Sequence, residues 1–110
     1  MPQYLYQIAY TSESLAAQIK NPQDRLELVG KQIADAVGAK IIGGGYSYGE
    51  YDASMIVDAP DEVTMAAVAI AIAAGGAIKS AKTTPLLSGS QWVAALKKAP
   101  AVSAQYRPAR

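Results

Sequence analysis

The chain contains no cysteine and no histidine. That absence excludes thiol nucleophiles and any catalytic triad built on imidazole, together with a histidine-ligated haem. A structural zinc site draws on Cys and His and is nearly excluded as well. A metal would have to rely on Asp and Glu alone, and the calcium-loop spacing of those residues does not occur. No metal and no cofactor is therefore expected.

Charge is also scarce. Only 17% of residues are charged and the net charge is +1, which supports neither a nucleic-acid-binding stripe nor an acidic shield. With no basic stripe and no reader motif, no nucleic-acid partner is expected. The longest uncharged stretch, Val63 to Ile78, is broken by Gly75-Gly76 and falls short of the ~20 apolar residues that span a bilayer. The opening Met1 to Tyr10 lacks the basic start and apolar run of a signal peptide. No membrane partner and a cytoplasmic location are expected.

At 110 residues the chain has room for one domain with one core. Hydrophobic residues make up 51%, a high share for a small domain whose surface is a large part of it. Such thin charge implies that some surface is buried against another subunit, although the alanine-rich segment after Met65 also inflates the fraction.

Tyr4 to Tyr10 alternates bulky and other side chains and reads as a strand. Ser12 to Lys20 makes a short helical turn. Asn21-Pro22 then offers an N-cap and a first-turn proline for a longer helix. Its apolar stripe is Leu26, Val29, Ile33 and Val37, and Gly38 supplies the left-handed cap. Lys40 to Tyr48 reads as the second strand, with Gly43-Gly44-Gly45 marking a bulge or a close backbone approach. Gly49-Glu50 suits a two-residue hairpin turn. Tyr51 to Asp58 follows as the third strand, with Tyr51, Ala53, Met55 and Val57 on one face.

Pro60-Asp61-Glu62 opens a second long helix. From Met65 to Ala74 it is apolar all round, and so should be covered on more than one side. Gly75-Gly76 stops it, and Ala77 to Thr84 is a fourth strand ended by Pro85. Ser88 and Gln91 have capping-box spacing before a short helix carrying Trp92, Val93 and Leu96, which Pro100 should end. Residues 1–98 then form the domain, and 99–110 a tail that is mobile or lies on a partner. The order β-α-β-β-α-β defines an α+β, ferredoxin-like fold. Its four-stranded antiparallel sheet carries both long helices on one face, with a short C-terminal helix added. Which sheet face the helices cover is not readable from the strands.

At Gly49-Glu50-Tyr51-Asp52 the chain resembles the GYD-domain family, named for a Gly-x-Tyr-Asp signature at the start of the third strand. The likeness extends to Met1-Pro2-Gln3-Tyr4, Tyr10-Thr11, Asp58-Ala59-Pro60-Asp61, Lys79 and Thr84-Pro85, and covers roughly residues 1–98. It implies kinship in fold with the dimeric α/β barrels, whose two sheets pack together and whose subunits can each hold a pocket. The family brings no established activity with it.

Among the functional candidates, Gly43-Gly44-Gly45 is not a phosphate loop, because no Gly-Lys-Ser/Thr follows and the segment leads into a hairpin. The tyrosines at 4, 6, 10, 46, 48 and 51 fall in three neighbouring strands and could line an aromatic pocket, or simply suit half-buried strands. Tyr6, Tyr46, Tyr51 and Asp52 are the named candidates for ligand binding. Asp52 is also the one catalytic candidate, a strand carboxylate beside aromatics that could act as a base. Its structural alternative, accepting hydrogen bonds from the hairpin or pairing with Lys79, Lys82 or Arg25, is the stronger of the two. Lys97-Lys98, Arg107 and Arg110 could meet an anion or a partner, or be a solvated helix end. The leading expectation is an oligomeric, self-associating domain that binds a small molecule. The alternatives are a cofactor-independent oxygenase or isomerase, by analogy of fold alone, and an interaction protein without a ligand.

Overall fold

The computed structural model describes residues 1–109; Arg110, one of the basic tail candidates, lies outside the described residues. The elements run β1 (Gln3–Tyr10), α1 (Ser12–Lys20), α2 (Arg25–Val37), β2 (Lys40–Tyr46), β3 (Ala53–Asp58), α3 (Glu62–Ala74), β4 (Ile78–Leu86) and α4 (Gly89–Ser103). The four strands form one antiparallel sheet in the order β2-β3-β1-β4. This is the ferredoxin-like arrangement, in which each βαβ half leaves a gap that the other half fills.

The register settles the faces. Tyr4, Tyr6 and Ile8 of β1 stand opposite Val57, Met55 and Ala53 of β3, and all six are buried. Leu26 and Ile33 of α2 and Met65, Val68 and Ile72 of α3 pack onto that side. The opposite side presents Leu5, Gln7, Ser54, Ile56 and Thr84, all half-buried. The period-two pattern of β1 therefore carries the core on its tyrosine face, and the alternation expected for Ala53, Met55 and Val57 holds.

Several boundaries differ from the sequence reading. The cap of α2 is Asp24, whose carboxylate accepts from the Glu27 amide, while Asn21 closes α1. Strand β2 ends at Tyr46 and β3 begins at Ala53, because a longer loop replaces the two-residue turn. The Ser47 amide donates to the Asp52 carbonyl at 2.8 Å, and the Ser47 hydroxyl to the Tyr51 carbonyl at 2.7 Å. Pro85 does not end β4. It lies opposite Tyr4, on an edge strand where a missing ladder donor is tolerated. Pro100 sits inside α4, which continues past it through the Ala104 amide bonded to the Pro100 carbonyl. The helix is exposed along its length, so water can satisfy the carbonyl that proline leaves without a donor.

The glycine run holds both features expected of it. The register of β2 slips between Ile41 and Gly43, and Gly44 has φ +121 with its backbone against β3. A Cβ there would lie 2.6 Å from the Met55 Cα and closer still to the Ser54 carbonyl oxygen, so the position accepts only glycine.

Candidate functional site

Helices α2 and α3 stand apart over the buried sheet face and leave a cavity of about 600 Å³ between them. Tyr6, Ile8 and Tyr10 of β1 and Met55 of β3 form its floor. One wall is Leu26, Val29 and Ile33 of α2, and the other is Ala67, Val68, Ala71 and Ile72 of α3. The space has a simple origin in the sequence. Alanine forms helix well but fills little volume, and α3 turns two alanines toward a stripe on α2 that is only half-buried. A volume of this order suits a drug-sized molecule.

Four residues with polar side chains line this apolar chamber: Tyr6 and Tyr10 in its floor, Arg25 at the start of α2 and Gln32 further along the same helix. Tyr6 is 1% exposed and its hydroxyl has no hydrogen-bond partner. An unpaired buried hydroxyl costs about 1–3 kcal/mol, and burial raises the Tyr6 pKa above its ordinary value. The group therefore remains a neutral phenol sealed from solvent. The Tyr10 pKa is raised as well, chiefly by burial. Arg25 opposes that shift, and Asp52 and Asp24 add to it.

The remaining sequence candidates lie elsewhere. The Tyr46 hydroxyl donates to Asp24 Oδ1 at 2.6 Å and accepts from the Leu26 amide at 2.8 Å. It thus completes the N-terminal cap of α2 from β2. That hydrogen bond is the main reason the Asp24 pKa lies below its ordinary value, helped by the Glu27 amide. Burial, then the bond to Asp24, raises the Tyr46 pKa. Gly43, Gly44, Gly45 and Tyr46 border a separate, open groove between β2 and α2. Tyr51 is half-buried in the β2–β3 loop. Asp52 accepts from the Tyr10 amide through Oδ2 at 2.8 Å and donates its own amide to the Ile8 carbonyl at 2.8 Å. Its carboxylate therefore pins the signature loop to the end of β1, and it does not line the cavity.

The structure thus places Tyr6 in the cavity, Tyr46 at its outer neighbour and Tyr51 with Asp52 in the loop. Tyr10 belongs to the tyrosine set that the sequence offers as pocket lining; residues that sequence reasoning did not place in a lining are Arg25, the α2 stripe and the alanines of α3. A usable signal was present: an all-apolar helix built largely of alanine cannot fill the space opposite a stripe of leucine, valine and isoleucine. Among the described residues, no group of three or more carboxylates converges as a metal site would require, and no helix is long and apolar enough to cross a membrane.

The family model described as GYD domain matches residues 4–96. No curated protein and no solved structure gives a significant match.

Proposed function

The chain belongs to the GYD-domain family, and we propose that it serves as an oligomeric domain that binds a small molecule between α2, α3 and the sheet. The observation that carries the binding reading is the apolar cavity of about 600 Å³ between the two helices and the sheet. A volume of this order with a few polar groups in an apolar lining is the usual form of a small-molecule site. No carboxylate lines the chamber, which favours binding over proton abstraction there.

Self-association rests on surface area. A compact protein of 11.5 kDa exposes about 5,800 Å², whereas this chain exposes 7724 Å². The excess of about 1,900 Å² exceeds the roughly 800 Å² that each partner contributes to a standard interface. The radius of gyration, 17.5 Å, is likewise larger than the ~13 Å of a compact domain of this length. Much of the surplus is apolar. Trp92 and Leu96 of α4 are 58% and 54% exposed, and Val63 and Ile70 leave the outer side of α3 bare. The coverage expected for the all-apolar α3 is thus missing within one chain, and a second copy supplies it.

Two measurements test the reading. Light scattering at micromolar concentration should give a mass of at least two chains; a monomer would remove the second copy. Fluorescence of 1-anilinonaphthalene-8-sulfonate should rise with the wild-type protein and fall back in the double variant Ala36→Leu/Ala71→Leu, which fills the cavity with helix-compatible side chains. Equal fluorescence from both proteins would locate the dye elsewhere and remove the cavity as its site.

A further inference from the structure

The charges around the cavity are unequal. Arg25 is the single ionised side chain in its lining, and no carboxylate accompanies it there. The two carboxylates that influence neighbouring Tyr10 are both engaged. Asp24 holds the Tyr46 hydroxyl and the Glu27 amide, and Asp52 holds the Tyr10 amide. Among the described residues Arg25 has neither an ion-pair nor a hydrogen-bond partner.

Helix stability does not account for the residue. Arg25 opens α2, and a cation in the first helical turn opposes the helix dipole, which favours an anion at that end. The lining therefore offers an apolar chamber and, at its edge, a guanidinium without an ion-pair partner. Guanidinium is the side chain best matched to a planar carboxylate, through two parallel N–H···O bonds.

Resting on the binding reading above, we infer that the ligand is an apolar monocarboxylate. Its carboxylate pairs with Arg25, and its ring or chain lies between Ile33 and Val68 over Tyr6 and Met55. The absence of any lining carboxylate makes the same chamber poor at holding a cation.

Calorimetric titration with 2-naphthoate and with its uncharged isostere 2-naphthamide separates the charge from the shape. The intact protein should bind the carboxylate at least about tenfold more tightly than the amide. In Arg25→Gln that ratio should fall to near one. Arg25→Lys should retain part of the preference, because it keeps the charge and loses the fork. If both compounds bind the intact protein equally, the cavity is a binding site but the anion inference is overturned. If neither binds at millimolar concentration, the cavity reading falls and this inference falls with it. A preference for naphthoate that persists in Arg25→Gln would place the anion on another group and also overturn the assignment.

Discussion

Two tyrosine-to-phenylalanine substitutions should move stability in opposite directions. Tyr6→Phe keeps the ring that packs in the core and removes a hydroxyl that is buried without a partner. The penalty for such a group is about 1–3 kcal/mol, so the ligand-free protein should gain about 1 kcal/mol. For a domain of this size that corresponds to a rise of roughly 4–8 °C in Tm. Tyr46→Phe removes a hydroxyl that donates to Asp24 and accepts from the Leu26 amide. Those two bonds together are worth about 1–3 kcal/mol, with the carboxylate bond the larger, and their loss should lower Tm. Both variants and wild type would be melted at one protein concentration, since the proposed association with a second copy would make Tm concentration-dependent. Urea unfolding should show an unchanged m-value in each case. If Tyr6→Phe lowers Tm as Tyr46→Phe does, the Tyr6 hydroxyl has a partner in the folded protein and the argument from its isolation is refuted.

Asp52→Ala should cost about 1–3 kcal/mol in urea unfolding, because the carboxylate accepts from the Tyr10 amide and its loss frees the loop from β1; unchanged stability would restore Asp52 as a residue kept for chemistry. Gly44→Ala should abolish or severely weaken folding, seen as loss of the cooperative melt, since the φ of +121 and the contact with Met55 leave no room for a Cβ; a wild-type melt would contradict the bulged register of β2. The Asp24 pKa lies below its ordinary value of 3.8. Its contribution to the cap of α2 should therefore be complete above pH 3.8 and decline as pH falls through the lower folded value. Amide exchange at the start of α2 should accelerate in that range and not at neutral pH; no acceleration in Asp24→Asn over the same range would confirm the group responsible.

Much of the fold was legible because several local signals agree with one another. Gly38 takes the left-handed cap with φ +73, Asp61 caps α3, and Ser88 with Gln91 forms the capping box. Each rests on hydrogen bonds within a few residues, which a sequence displays directly. The errors arose where a distant partner decides. Asp24 prevails over Asn21 because Tyr46, twenty-two residues away, reinforces its cap. Pro85 continues β4 because that strand is at the edge of the sheet, a property of strand order and not of the segment. The site was harder still. The tyrosine cluster draws attention to β1, but a cavity is space that side chains fail to fill. Its existence depends on how far α2 and α3 stand apart, which no spacing along the chain encodes. The sequence offers Arg25 as a possible partner of Asp52, whereas the Asp52 carboxylate accepts from the Tyr10 amide.

The claim that the cavity is the binding site can be tested with the protein's own three methionines. Met55 lines the cavity, Met65 belongs to the buried core without lining it, and Met1 is exposed at the start of the chain. Labelling the methionine methyl groups with ¹³C gives one NMR signal for each. On addition of 2-naphthoate the account predicts a saturable shift of the Met55 methyl, a smaller one at Met65 and none at Met1. A Met55 signal that does not move while 2-naphthoate demonstrably binds would contradict the account, because the ligand would then lie outside the space between α2, α3 and the sheet.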